Sequence, residues 1–255
     1  MTILDSIILG IVEGITEFLP VSSTGHLILA SNLLSIPPSN FLTSFEIAIQ
    51  LGAIGAVVFL YWRSFFDLKL LKKIIVAFLP TVAVGFLLYP FIKSYLLGNS
   101  MIVVASLALG GVILIVFELW HKENESAVSD SKEMSYGQAL AIGLFQSIAV
   151  IPGVSRSAAT ILGGLLMGLK RVAIVEFSFL LAVPTMAAAT GYDLFKNAGG
   201  FVSPDLVSLA IGFVVSFLVA MLSIKFLLGY IRNHSFIAFG IYRILVAIIF
   251  VIFIS

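Results

Sequence analysis

The sequence predicts an all-α polytopic membrane protein, an inverted repeat of two halves that each combine a re-entrant helical hairpin with three transmembrane helices. Hydrophobic residues make up 60% of the 255 positions, charged residues make up 11%, and the mean hydropathy is +1.17. Several segments approach the roughly 20 apolar residues that a helix needs to cross a bilayer. Two polar motifs interrupt this apolar pattern about half the chain apart. We therefore expect a single membrane domain, residues 1–255.

Six segments are predicted to cross the membrane. They are Phe45–Trp62, Ile74–Ile92, Met101–Trp120, Val172–Tyr192, Leu206–Ile224 and Phe236–Ile254. Segments 1–35 and 136–168 precede each set of three, and each has two short apolar arms that meet at a turn, Pro20 in the first and Pro152-Gly153 in the second. This pattern is typical of a re-entrant hairpin, whose non-helical tip is tolerated at membrane depth where it lines a cavity.

The polar loop 121–135 separates repeat one, 1–120, from repeat two, 136–255. Because each half has an odd number of crossings, the halves are expected to be inverted, so that their hairpin tips meet at the repeat interface. The positive-inside rule makes the side of this loop cytoplasmic and both termini extracytoplasmic. The basic residues on that side are Arg63, Lys69, Lys72, Lys73, Lys122, Lys132, Lys170, Arg171 and Arg232, against Lys93 and Lys196 on the other.

Composition also restricts the function classes. The chain has no cysteine, which excludes disulfides, thiolate nucleophiles and cysteine-ligated metals, and a net charge of +1 gives no indication of a nucleic-acid partner. The N-terminus lacks the basic region of a cleaved signal, and Asp5 interrupts its apolar run, so the first segment is expected to stay in the mature protein. Gly110-Gly111 and Gly163-Gly164 offer surfaces on which a homodimer could pack.

The first polar motif runs from Glu13 to His26 and reads EGITEFLPVSSTGH. Glu13 and Glu17 are four residues apart, so on a helix their carboxylates share one face. Two carboxylates this close in a dry environment need a shared cation or proton, so they are candidate ligands of a divalent metal and candidate acid–base groups. His26 lies three and four residues past Ser23 and Ser22, within reach of either hydroxyl. A hydroxyl beside an imidazole is the minimum arrangement for nucleophilic attack.

The second motif resembles the first when the two are aligned without a gap. The coinciding pairs are Glu13 with Gln146, Val21 with Val154, Ser22 with Ser155 and Thr24 with Ser157. Arg156 follows the Pro152-Gly153 turn and is flanked by Ser155 and Ser157. A guanidinium together with backbone N–H groups at a helix N-terminus is typical of phosphate sites. Two such helix starts facing each other would form an anion cradle, and phosphate is the predicted ligand.

These residues also have purely structural explanations. A Ser-Ser-Thr-Gly run can serve only close packing between helices, and an arginine can snorkel or pair structurally. The apolar residues around Glu13 and Glu17 argue against a solvated surface for the acid pair. Glu46, Gln50 and Arg243 are further polar groups within predicted crossings, and for them structural pairing and substrate contact stay open.

Three stretches together resemble the bacterial undecaprenyl-diphosphatase family, also called bacitracin-resistance proteins. They are the Glu13–His26 motif, FEIAIQLGAI from Phe45 and PGVSRS from Pro152. The resemblance implies removal of the terminal phosphate from a C55 polyprenyl diphosphate in the bacterial plasma membrane, giving the lipid carrier of peptidoglycan synthesis. The candidate catalytic residues are Glu13, Glu17, Ser23, His26 and Arg156. The candidate substrate-binding residues are Ser22, Thr24, Gln50, Gln146, Ser155 and Ser157.

A mechanism follows as a hypothesis. Arg156 and the helix N-termini would hold the diphosphate, and a divalent cation, Mg²⁺ or Ca²⁺, held by Glu13 and Glu17, would neutralise its remaining charge. Ser23, deprotonated by His26, would attack the terminal phosphorus; in a variant, His26 or a glutamate activates water. Inverted repeats are also typical of carriers, so a transporter or lipid flippase is the competing interpretation. A membrane scaffold without chemistry is a third, weaker one.

Overall fold

The computed structural model describes residues 1–88, 91, 96, 99–197 and 203–254 of the chain. The helices within this part are α1 (Ile3–Thr16), α2 (Ser23–Leu33), α3 (Asn40–Tyr61), α4 (Leu68–Leu87), α5 (Ser100–Trp120), α6 (Tyr136–Ser147), α7 (Arg156–Leu166), α8 (Arg171–Asn197), α9 (Ser203–Ile231) and α10 (Ile237–Ile254). Short 3-10 turns extend α3 over Trp62–Phe66 and α6 over Ile148–Val150. The all-α prediction is confirmed for the described residues.

The described helices have the lengths that a polytopic membrane protein needs. Five spans are long and apolar enough to cross a bilayer, namely Asn40–Phe66, Leu68–Leu87, Ser100–Trp120, Arg171–Ala188 and Leu206–Ile231. They correspond to the first five predicted crossings. The sixth corresponds to α10, whose apolar part, Ile237–Ile252, is shorter. The second crossing begins earlier than predicted because Asp67 caps α4 by accepting from two of its backbone N–H groups, and its predicted end, Ile92, lies outside the described residues.

Both predicted hairpins consist of two short helices joined by an irregular turn. Helices α1 and α2 have 14 and 11 residues, and α6 and α7 have 12 and 11, all shorter than a bilayer crossing. We call residues 17–22 turn A and residues 151–155 turn B. The two turns end in the same backbone conformation, since φ is 73° at Ser22 and 71° at Ser155. These residues coincide in the ungapped alignment of the motifs.

Each hairpin packs against a long helix of the opposite half of the chain. The first arm of each hairpin packs on the second long helix of the other half, α1 on α9 and α6 on α4. Gly10 and Gly143, which coincide in the alignment, allow this close approach, because a side chain at either would meet the partner helix backbone at Gly212 or Ala77. This exchange supports the predicted repeat, whose inverted orientation stays a prediction.

The glycine pairs suggested for a homodimer are used inside the molecule. Gly110 lies against the guanidinium of Arg243, and Gly111 lies against the backbone of Gly240, so this pair packs α5 onto α10. In the second pair, Gly163 faces Phe145 and Gly164 faces Ile174. These pairs therefore do not form free surfaces for a second copy, and the homodimer stays a prediction without them.

Candidate active site

The two turns lie in direct contact, as the sequence predicted. The Ser157 hydroxyl, just after turn B, donates to the Phe18 carbonyl of turn A over 2.8 Å. Arg156 of α7 forms a 2.8 Å ion pair with Glu17 of turn A. Both charged side chains of this pair are largely buried, with 12% and 6% of their surfaces exposed. Residues 139 positions apart in sequence are thus brought into one site.

A cavity of about 240 Å³ opens between the turns. Most of the predicted site residues line it. They are Glu17, Ser22, Ser23, Thr24, Gln50, Gln146, Ser155 and Arg156. Three predicted residues, Glu13, His26 and Ser157, are buried beside the cavity and do not line it. A small polar cavity with convergent hydroxyls, a carboxylate and a guanidinium suits the headgroup of a phosphate-bearing ligand.

Glu17 accepts hydrogen bonds from both Ser23 and Arg156. Its Oε1 accepts from Arg156 Nη2, and its Oε2 accepts from the Ser23 hydroxyl over 2.6 Å. An O–H···O⁻ bond this short is charge-assisted. A carboxylate in this position can take the proton of Ser23 when the serine oxygen attacks an electrophile.

Arg156 is held in place by further contacts. Its Nη1 donates to the Ser178 carbonyl oxygen over 2.9 Å, and its guanidinium carbon lies 5.8 Å from the centre of the Phe18 ring. Its Nε is buried and has no hydrogen-bond partner among the residues that the structure describes. A fixed guanidinium at a helix N-terminus, in the wall of a cavity, is suited to bind an anion.

Ser22 and Ser155 occupy the N-cap positions of α2 and α7, the two helices that begin at the cavity. Their positive φ angles lie in a region that costs a non-glycine residue about 1–3 kcal/mol, and such strain concentrates at functional sites. Ser155 Oγ accepts from the Ala158 N–H, whereas the Ser22 side chain makes no capping bond. Both conformations turn the chain sharply, so that the first N–H groups of α2 and α7 start at the turns.

His26 does not contact Ser23 in the way the sequence predicted. Its Nδ1 lies 2.7 Å from the Ser22 carbonyl oxygen, and its Nε2 lies 2.8 Å from the Tyr242 hydroxyl. Because a carbonyl can only accept, Nδ1 carries a proton, and in the neutral ring Nε2 accepts from Tyr242. The predicted Ser23–His26 hydrogen bond is therefore replaced by two others. His26 supports the backbone of turn A, and Glu17 is the group beside Ser23.

Glu13 has the chemistry of a cation or proton site. It is fully buried, and neither carboxylate oxygen has a hydrogen-bond partner among the described residues. Burying a carboxylate oxygen without a hydrogen-bond donor costs free energy unless a bound cation or proton compensates for it. Glu17, one helical turn later, keeps lone pairs after its bonds to Ser23 and Arg156. Within the described ranges, no group of three or more His, Cys, Asp or Glu could hold a metal, so a cation here would also need oxygen atoms of the ligand.

Two further polar residues named from the sequence, Gln146 and Glu46, have defined partners. Gln146 is fully buried, and its Nε2 donates to the hydroxyls of Thr81 and Thr185 over 2.8 and 3.2 Å. Glu46 accepts from the Ser31 hydroxyl over 3.1 Å, away from the cavity wall. Five residues that were not predicted also touch the site. They are Met186 and four residues with hydroxyl groups, Thr81, Ser178, Thr185 and Tyr242. For the four residues with hydroxyls, a polar group within an apolar segment of the sequence was the signal that could have identified them.

Comparisons with known proteins identify the family to which the chain is similar. Residues 6–249 match the model of a protein family described as bacitracin resistance protein BacA. A protein named undecaprenyl-diphosphatase from Sulfurihydrogenibium sp. (strain YO3AOP1) is 55% identical over 98% of each chain. Proteins of the same name from Aquifex aeolicus and Persephonella marina are 52% identical over 99% of each chain and 51% identical over 100% of each chain.

Proposed function

Because the chain belongs to the bacitracin resistance protein BacA family, we propose that it is an undecaprenyl-diphosphate phosphatase. Its reaction is the hydrolysis of the terminal phosphate of undecaprenyl diphosphate, which gives undecaprenyl phosphate and inorganic phosphate. The product is the lipid carrier that peptidoglycan synthesis consumes, and bacitracin resistance is the associated trait.

One observation supports this activity above the others. Glu17 holds the hydroxyl of Ser23 and the guanidinium of Arg156 at the same time, at the wall of one cavity. The arrangement brings a nucleophile, a proton acceptor and a phosphate ligand within a few ångströms of one another. Pure anion binding would need the guanidinium and the helix N-termini, but not a serine bonded to a carboxylate.

The proposed chemistry has two steps. Ser23 Oγ attacks the terminal phosphorus and transfers its proton to Glu17, while the bond from that phosphorus to the bridging oxygen breaks and undecaprenyl phosphate leaves with the electron pair. Water then attacks the phosphoserine, releasing inorganic phosphate and returning the proton to Ser23. Arg156 and the N–H groups at the start of α7 stabilise the charge on the transferring phosphoryl group. His26 keeps turn A in shape through the Ser22 carbonyl.

A divalent cation, Mg²⁺ or Ca²⁺, is part of the proposal. Glu13 and Glu17 would hold it together with oxygens of the diphosphate, a donor set of hard oxygens that such cations prefer. The two buried oxygens of Glu13, which accept no hydrogen bond from the described part of the chain, support this assignment. When bound, the cation would supply charge neutralisation for the diphosphate.

Phosphate release from a lipid diphosphate by the purified protein in detergent is the direct test. We expect one inorganic phosphate for each undecaprenyl diphosphate consumed, and release reduced by about 10³-fold or more in the Glu17→Gln variant. The same protein in vesicles with a labelled lipid reports movement between leaflets. Translocation without phosphate release would overturn the proposal in favour of a transporter or flippase, the class that the repeat architecture first suggested.

Arg156→Lys is expected to reduce kcat/KM by about 10- to 100-fold, through a higher KM as well as a lower kcat. Lysine keeps the charge but loses the planar fork that binds phosphate in two places, and charged hydrogen bonds contribute about 1.5–3 kcal/mol each. Steady-state kinetics with purified variants measures this effect. Arg232→Lys, at the end of α9, is the matched control. Normal kinetics in Arg156→Lys would exclude bidentate phosphate binding.

Glu13→Gln is expected to raise the Mg²⁺ concentration needed for half-maximal activity by about 10- to 100-fold. The amide keeps the size of the carboxylate but removes the charge that attracts the cation. Phosphate release measured against Mg²⁺, after treatment with a chelator, gives the value for each variant. Direct Mg²⁺ or Ca²⁺ binding by calorimetry supplies a readout independent of activity. Unchanged cation dependence in both measurements would assign Glu13 to proton handling instead.

The proposal also covers the membrane location, the topology and the oligomeric state of the enzyme. We place it in the bacterial plasma membrane with both termini outside the cytoplasm, on the basis of the asymmetry of basic residues. The two inverted repeats, 1–120 and 136–255, would form one domain with the active site at their interface. A homodimer would need a surface other than the two glycine pairs, which are buried within the chain.

A further inference from the structure

Arg243 is the most deeply buried basic residue of the described structure. It lies in α10, none of its surface is exposed, and it does not line the cavity between the turns. A buried guanidinium is costly unless its donors are satisfied. Such a group within a membrane protein has a function in most cases, and neither substrate contact nor catalysis uses it here.

The partners of Arg243 are backbone carbonyl oxygens from three separate segments. Nη1 donates to Pro20 of turn A over 3.3 Å and to Val154 of turn B over 3.1 Å. Nη2 donates to Gly153 of turn B over 2.9 Å and to Ser106 of α5 over 3.0 Å. Nε donates to Leu107 of α5 over 3.3 Å. One side chain therefore joins both turns to one helix of the surrounding bundle.

Helix α5 has a glycine where the guanidinium of Arg243 packs against it. A Cβ atom at Gly110 would overlap the guanidinium group, with its carbon atom 2.7 Å away. Gly153 of turn B has a φ of +90°, and a side chain there would collide with the backbone of Val103 in α5. Two glycines thus bring α5 and turn B close enough for Arg243 to reach their carbonyls.

We propose that Arg243 is a positioning residue for the hydrolysis proposed above. It fixes turn A against turn B, so that Glu17 and Ser23 on one side stay opposite Arg156 on the other. The inference rests on the proposed function, because the groups that it positions are the reacting ones. Removal of the guanidinium would let the turns separate, and a displacement of about 1 Å can cost 100-fold in rate.

A positioning role differs from substrate contact in its kinetics. Arg243 lies outside the cavity wall, so its loss should reduce kcat while KM changes by less than about threefold. Arg156→Lys should raise KM as well as lower kcat, because Arg156 binds the phosphate itself. This difference separates the two arginines in one assay.

The test uses the full-length protein with Arg243→Met, Arg243→Lys and Gly110→Ala, and phosphate release as the assay. We expect kcat to fall about 100-fold in Arg243→Met and about tenfold in Arg243→Lys, whose ammonium reaches only some of the carbonyls. Gly110→Ala keeps the arginine but displaces its guanidinium, and we expect about a tenfold loss. Gly85→Ala in α4 is the control, because no atom of the described residues lies within 4 Å of its new side chain.

Size-exclusion chromatography and thermal unfolding establish how much of each variant is folded. If the Arg243 variants fail to fold, Gly110→Ala alone decides the question. Wild-type kcat in Gly110→Ala or Arg243→Lys would overturn the positioning role, and so would a loss confined to KM. If the wild-type protein releases no phosphate, the proposed function itself fails, which is a separate outcome.

Discussion

Glu17→Gln is expected to reduce phosphate release by about 10³-fold or more. The carboxylate accepts from Ser23 through one oxygen and from Arg156 through the other. Glutamine keeps the size, and its amide oxygen can still accept from Arg156, but its amide nitrogen then faces Ser23 and can only donate to that hydroxyl. The variant loses both the proton acceptor for Ser23 and the charge that orients Arg156. Stopped assays with purified variant and undecaprenyl diphosphate measure the loss.

Glu118→Gln is a matched control for this variant. Glu118 is also buried and also pairs with an arginine, since its Oε2 accepts from Arg171 Nη2 over 2.8 Å, but the pair does not line the cavity. We expect lower thermal stability with turnover close to that of the wild type. Substantial activity in Glu17→Gln, with the protein folded, would remove the carboxylate from the reaction.

Ser23→Ala is expected to reduce turnover on the order of 10⁴-fold or more, because it removes the proposed nucleophile. In the wild-type protein, rapid acid quenching after mixing with substrate labelled in the terminal phosphate should trap a phosphoserine at position 23. Peptide mapping by mass spectrometry locates it. The bond between the Ser23 hydroxyl and Glu17 provides the physical basis for both expectations.

Ser147→Ala is the matched control for this experiment. Its hydroxyl is buried and donates to the Gly143 carbonyl within α6, outside the cavity wall. We expect normal turnover and the same phosphoenzyme level as in the wild type. Retained activity in Ser23→Ala without any trapped intermediate would support direct attack by activated water, the variant that the sequence left open.

Local sequence patterns were sufficient to predict much of the architecture. The apolar runs predicted the membrane crossings. The residues Pro20 and Pro152-Gly153 predicted the turns of the two hairpins, because proline and glycine interrupt a helix locally. The meeting of the turns followed from counting crossings. The start of α4 was missed because Asp67, a short-range cap, extends the helix beyond its apolar part.

Hydrogen-bond partners were harder to predict than positions. The spacing of Ser23 and His26 suggested a pair, but helical side chains lean toward the N-terminus, so His26 reaches the carbonyl of Ser22. Its second partner, Tyr242, lies 216 positions away. Contacts over such separations depend on the packing of whole helices, which no local pattern records. The role of Arg243, left open between pairing and substrate contact, depends on carbonyls from three segments for the same reason.

The position of Arg243 in the chain has a consequence for biogenesis. Helix α10 follows every other element that forms the catalytic centre. During synthesis, both turns and their reactive side chains enter the bilayer before the residue that joins them has been translated. A nascent chain therefore carries the components of a hydrolase without their final alignment until Arg243 has been inserted.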